Sequence, residues 1–192
     1  MKKIYLVFLI LLIHCVFPDR RINLKNYNHK SFDNKDTKKI FLEINDQRKP
    51  FSNAFFGKTD SERIGHVRNG YYMPMTNVLT REMVFEWVKR VFENNLTKNN
   101  YIIVKNNESY DYKIQITLFK FYVDNYFNCH GQVILGLLIF DSKENKIFSS
   151  EFEEEDRVFS IDASEYCFEE AFNNAAKASF QESLSKIKNI IK

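Results

Sequence analysis

Asp111–Val123 reads D-Y-K-I-Q-I-T-L-F-K-F-Y-V, and Gln132–Phe140 reads Q-V-I-L-G-L-L-I-F. In the first run Tyr112, Ile114, Ile116 and Leu118 alternate with Lys113, Gln115 and Thr117, the period of a strand with one covered face. At Leu118–Phe119 two apolar residues adjoin, and Phe119, Phe121 and Val123 carry the pattern on in the opposite phase. A bulge or a change of covering is expected there. The second run is apolar on both faces, as a central strand is. Asp141–Lys146 (D-S-K-E-N-K) reads as a hairpin turn into a further strand, Ile147–Glu155. The acidic finish of that strand, E-F-E-E-E-D, suits a solvated sheet edge better than a calcium site, which needs a glycine-bearing ligand loop.

On the N-terminal side, Lys38–Asp46 (K-K-I-F-L-E-I-N-D) is a strand and Tyr101–Val104 a short one. Between them Thr80 stands where a helix N-cap is expected, ahead of R-E-M-V-F-E-W-V-K-R-V-F-E-N-N-L. Val84, Trp87, Val88, Val91 and Leu96 recur at helical spacing, with Met83 and Phe92 on the flanks of the stripe. Ser164 caps a second helix whose stripe is Phe168, Phe172, Ala175, Ala176, Ser179, Leu184 and Ile187. Its small residues let it lie close on a sheet. The order β-α-β-β-β-β-α predicts an α+β domain: a mostly antiparallel sheet of about five strands with two helices packed on one face.

One connection is long. Between Asp46 and Thr80 lies E-R-I-G-H-V-R-N-G-Y-Y-M-P-M, Glu62–Met75, in a stretch with too many aromatic residues to leave in water. It covers an apolar patch of Phe119, Phe121, Val123 and one face of Val133–Phe140, opposite the helices, with Gly65 and Gly70 shaping turns and Arg68 bonding loop carbonyls or Asp46. Alternatively Arg68, Asn69, Gly70, Tyr71 and Tyr72 form a partner site, since Tyr and Arg dominate binding hot spots.

The chain opens M-K-K-I-Y-L-V-F-L-I-L-L-I-H-C. A positive start and a short apolar run, with roughly 20 apolar residues needed for a span, predict an export signal over 1–14. Leu12-Ile13-His14-Cys15 resembles a bacterial lipobox, with Cys15 the residue lipidated, although His14 stands where a small residue is usual. An uncleaved membrane anchor is the rival. Residues 15–38 are polar without a sustained period and are expected to be a flexible tether, leaving 39–192 as a single domain.

The charge balance weakens from +3 once Lys2 and Lys3 are removed with the signal. The basic face of a nucleic-acid binder is not expected. His66, His130, Cys129 and Cys167 are the only residues that suggest a metal or a thiol nucleophile, and adjacent Cys129 and His130 face opposite ways on a strand. There is no H-E-x-x-H, phosphate-binding loop, G-x-S-x-G or C-x-x-C. No enzyme, metal or cofactor is expected. In an oxidising compartment Cys129 and Cys167 invite a disulfide, and in the cytosol they are buried thiols.

From Ile40 to Asp156 the chain resembles the YajG-like lipoproteins of the bacterial envelope. The resemblance is carried by I-F-L-E-I-N-D-Q-R, I-G-H-V-R-N-G-Y-Y, E-W-V-K-R-V-F-E-N-N-L, Y-K-I-Q-I-T-L-F-K-F and G-Q-V-I-L-G-L-L-I-F-D, with Tyr72 where the family tends to have glycine. It implies a lipid-anchored periplasmic domain on the inner face of the outer membrane, with no known enzymatic activity; Val16 after Cys15 permits that sorting. The partners expected are the membrane, through the lipid, and another envelope protein or a second copy of the chain. The alternative is a small-ligand or lipid-binding protein auxiliary to an envelope transport system.

Overall fold

The structure is a computed structural model that describes residues 19–29, 37–49, 61–68, 74–105, 108–126, 128–160 and 164–191. Its strands are β1 (Arg20–Ile22), β2 (Lys39–Asp46), β3 (Arg63–Arg68), β4 (Pro74–Thr80), β5 (Ile102–Val104), β6 (Tyr112–Tyr126), β7 (Asn128–Asp141) and β8 (Lys146–Phe159). The helices are α1 (Val84–Lys98) and α2 (Glu165–Ile190).

Strands β6, β7 and β8 form a long antiparallel meander, and the phase shift of β6 is where it matters most. Leu118 pairs with Leu135 and Lys120 with Ile134, so Phe119 is the extra residue of a bulge. An inserted residue reverses the parity of everything after it. Phe121 and Val123 are thereby returned to the same buried face as Ile114, Ile116 and Leu118. Phe119 alone is turned out, 38% exposed, with its ring against Gly136. The expected apolar patch opposite the helices therefore does not form from Phe121 and Val123: the bulge and the phase shift cancel, and the core face is continuous.

The bulge also marks a fork. Along its other edge β6 pairs in parallel with β2 as far as Leu118, and then with β3 at Val123 and Asp124. One wing continues to β5; the other continues through β4 to β1. The sheet is thus mixed and eight-stranded, where a mostly antiparallel sheet of about five strands was expected. The added strands lie in stretches read as loop or tether. They lack a clear alternation, and their pairings join residues far apart in sequence. Gly65 illustrates this: a Cβ there would lie 1.6 Å from the Val123 carbonyl oxygen, so the residue permits close approach of two strands rather than a turn.

Both helices cover one face of this sheet. Trp87 of α1 packs against Phe172 and Phe180 of α2 and against Phe121 of β6, with ring centroids 5.1–6.3 Å apart. Such ring pairs add roughly 0.5–1.5 kcal/mol each beyond their area burial. The expected stripe of α1 is buried, and Phe92 joins it, while Met83 is exposed. The start of α1 differs from expectation. Thr80 ends β4, where its hydroxyl donates to the Glu82 carbonyl at 2.5 Å and lies 3.1 Å from the Glu62 carbonyl, and Met83 occupies the N-cap with no side-chain bond. Ser164 caps α2 by accepting from the Cys167 N–H. Among the described residues no helix is long and apolar enough to cross a membrane.

Residues 19–29, within the range expected to be a tether, are packed on the domain. Ile22 is fully buried, and Leu24 and Tyr27 join the core. The backbone is held at alternate residues by side chains of the helices. Asn173 accepts from the Lys25 N–H and donates to the Asn23 carbonyl, both at 2.9 Å. Asn95 accepts from the His29 N–H at 2.6 Å and donates to the Tyr27 carbonyl at 2.8 Å. The Trp87 indole donates to the Lys25 carbonyl. An extended segment has no helical partners for its backbone groups, and these amides supply them.

Candidate functional site

Because the bulge resets the pleat, Tyr122 and Asp124 point away from the helices while Phe121 and Val123 point toward them. The outward pair meets the end of β3. The Arg68 backbone N–H donates to Asn125 Oδ1 at 2.7 Å, and its guanidinium donates to the Tyr122 hydroxyl at 2.8 Å and lies 3.3 Å from Asp124 Oδ2. The Tyr122 hydroxyl in turn donates to Asp124 at 3.0 Å. Arg68 thus bonds Tyr122 and Asp124 rather than Asp46, whose carboxylate is taken by Arg48. From β7, His130 places Nδ1 3.9 Å from Asp124 and Nε2 3.2 Å from Glu155 of β8.

His66 pairs across the sheet with Asp124. Its Nε2 accepts from the Arg63 guanidinium at 3.3 Å, and Arg63 is itself buried. Burial first, then the charges of Arg63 and Arg68, lower the His66 pKa to about 4, so the ring is neutral at pH 7. Burial, followed by the Asp124 charge, pushes the Tyr122 hydroxyl up to about 12. Beyond this cluster Lys120 donates to Gln132, which donates to Glu153 at 2.6 Å. The surface is a lattice of basic and acidic groups held on four adjoining strands, β3, β6, β7 and β8. Among the described residues no group of three or more His, Cys, Asp and Glu side chains is placed to hold a metal ion.

Of the site residues expected from sequence, Arg68 lies in this cluster. Asn69, Gly70, Tyr71, Tyr72 and Cys15 lie outside the described residues. Cys129, at the start of β7, and Cys167, in the first turn of α2, are buried and joined by a disulfide with Cα atoms 5.8 Å apart. Two features were missed by sequence reasoning. One is the convergence of His66, Asp124 and His130, which no spacing encodes. The other is the pair of buried asparagines, Asn95 and Asn173, on helix faces that otherwise read as apolar; asparagine at a core position of a helix was the available signal. A cleft of about 390 Å³ lies beside the Asn173 clamp, bordered by Lys25, His29, Lys177 and Gln181.

No family model and no curated protein matches this chain. Solved structures do. The Xanthomonas campestris protein XCC0632, of family DUF330, matches with a TM-score of 0.60 at 14% identity, over 87% of this chain and 94% of that one. The crystal structure of an uncharacterized protein matches with a TM-score of 0.54 at 10% identity, over 90% of this chain and 99% of that one. Lipoprotein GNA1162 from Neisseria meningitidis gives a TM-score of 0.41 at 8% identity, over 79% and 99%. At these identities the first two likenesses are of fold.

Proposed function

We propose that the protein is a lipid-anchored, non-catalytic component of a bacterial cell envelope, held at the periplasmic face of the outer membrane through Cys15. It acts as an interaction module for another envelope protein. The observation that carries this reading is the buried Cys129–Cys167 disulfide, which suits an oxidising compartment and leaves Cys15, behind its export-type leader, as the remaining cysteine. The resemblance to YajG-like lipoproteins supports the same compartment. The partner surface is the sheet face around Arg68, Tyr122, Asp124 and His130, whose acids and bases are engaged with one another, an arrangement suited to recognition and needing no cofactor.

The test is site-specific photocrosslinking in the envelope of the native host, with the photoreactive residue replacing His130, alongside mass spectrometry of the extracted protein. A discrete adduct with a second envelope protein, or with a second copy of the chain, supports the module. An acylated Cys15 with no adduct from position 130 overturns it. The cleft beside Asn173 favours the second reading, a binder of small ligands or lipids auxiliary to an envelope transport system. Native mass spectrometry of the extracted protein decides that reading by the presence or absence of a bound small molecule.

A further inference from the structure

Strand β1 runs parallel to β4 with Arg20 opposite Val78, and Asp19 accepts hydrogen bonds from Thr76 and Asn77. From Ile22 back to Asp19, β1 therefore runs toward the Pro74 end of β4. Pro74 pairs with Arg68, Arg68 bonds Asn125, and the β6–β7–β8 ladder at that end closes with Asn128 opposite Phe159. The first turn of α2 is there too, since its Cys167 is joined by the disulfide to Cys129, the second residue of β7. This one end of the domain carries Phe159, 75% exposed, and Tyr166, 69% exposed. They are the two most exposed large hydrophobic residues among those described; the others range from 38% to 49%.

We infer that this end of the domain, with Phe159 and Tyr166 as its contacts, is a membrane-docking surface that rests on the phospholipid bilayer into which the Cys15 lipid is inserted. The inference rests on the lipid anchor of the proposed function. From Cys15 to Asp19 there are four peptide steps, a reach of at most about 14 Å. The Asn95 and Asn173 clamps hold residues 23–29 on the helices, so the chain between lipid and domain is short instead of spanning the roughly 25–30 Å that a free tether of residues 16–38 would reach. Placed that close, an exposed phenylalanine and tyrosine meet the headgroup region, where aromatic rings are favoured, and Arg20 of the same edge strand, next to Asp19, adjoins the phosphates.

The experiment uses the full-length protein, extracted with its lipid and reconstituted into vesicles of phosphatidylethanolamine and phosphatidylglycerol that contain a brominated, fluorescence-quenching lipid. Single tryptophans are introduced by Phe159→Trp, Tyr166→Trp and, as a control at the far end of the same strand, Ile147→Trp. Twelve residues of strand put the control about 40 Å away. Trp87 is fully buried and common to all three, so its emission is subtracted. Quenching of the introduced residue at 159 and 166 at least twofold greater than at 147 is the expected result. Equal or absent quenching on a chain whose acylated Cys15 is verified by mass overturns the docking surface while leaving the anchor in place. A chain not acylated at Cys15 overturns both.

Discussion

Phe121 stands edge-on to Trp87, with ring centroids 6.3 Å apart and ring planes at 88°. This contact exists only because Phe119 is bulged out of the β6–β7 ladder, which turns Phe121 toward the helices. Phe121→Ala is expected to destabilise the domain by roughly 3–5 kcal/mol, the range for emptying a buried aromatic site. At roughly 2–4 °C per kcal/mol for a domain of this size, the melting temperature falls by at least 6 °C. Phe119→Ala, at an exposed position, should shift it by a few degrees at most. Thermal unfolding of the two variants compares them directly, and equal losses would show that the bulge does not separate their environments.

The Asn173 clamp makes a local prediction. Asn173→Ala leaves the Lys25 N–H and the Asn23 carbonyl without their amide partner, at a cost of roughly 1–3 kcal/mol for each group that stays buried. Hydrogen exchange at residues 23–29 should accelerate at least tenfold while the amides of β7 keep their protection. Uniform acceleration across the domain would mean that the segment is not a separately opening unit.

Cys129 and Cys167 are 38 residues apart in sequence. Closing a loop of that length restricts the unfolded chain by about 3–4 kcal/mol on the chain-entropy account. The paired variant Cys129→Ala with Cys167→Ala should therefore unfold at a temperature lower by roughly 6–16 °C, read by calorimetry. An unchanged midpoint would show that the cross-link contributes nothing to stability.

His66 sets a pH dependence. Its folded pKa of about 4 lies below the ordinary value of 6.5, so between those values the unfolded chain binds more protons than the folded one. The contribution is fully present above pH 6.5 and is lost as the pH falls toward 4, with a limiting slope of about 1.4 kcal/mol per pH unit. His66→Gln should flatten the pH dependence of the urea midpoint between pH 6.5 and 4.5. A slope identical to that of the parent protein would place the titration elsewhere.

Periodicity alone made much of this protein legible. The stripes of α1 and α2, the Ser164 cap, the Asp141–Lys146 turn and the irregularity at Leu118–Phe119 are local patterns, set by side-chain spacing along a single element. The tertiary structure decided the rest. Which face Phe121 occupies depends on whether Phe119 bulges or the covering changes sides, and only the partner strand settles that. Strands β1, β3 and β4 are short or interrupted, and their hydrogen-bonding partners lie far away in sequence: Arg20 pairs with Val78, and Gly65 with Val123. The surface around Arg68 shows the same limit. His66, Asp124 and His130 come from three strands, and their meeting follows from sheet order and register, which no spacing within one segment records. Asn95 and Asn173 look like polar interruptions of two apolar stripes until the extended backbone of residues 23–29 is laid between the helices and takes up their amides.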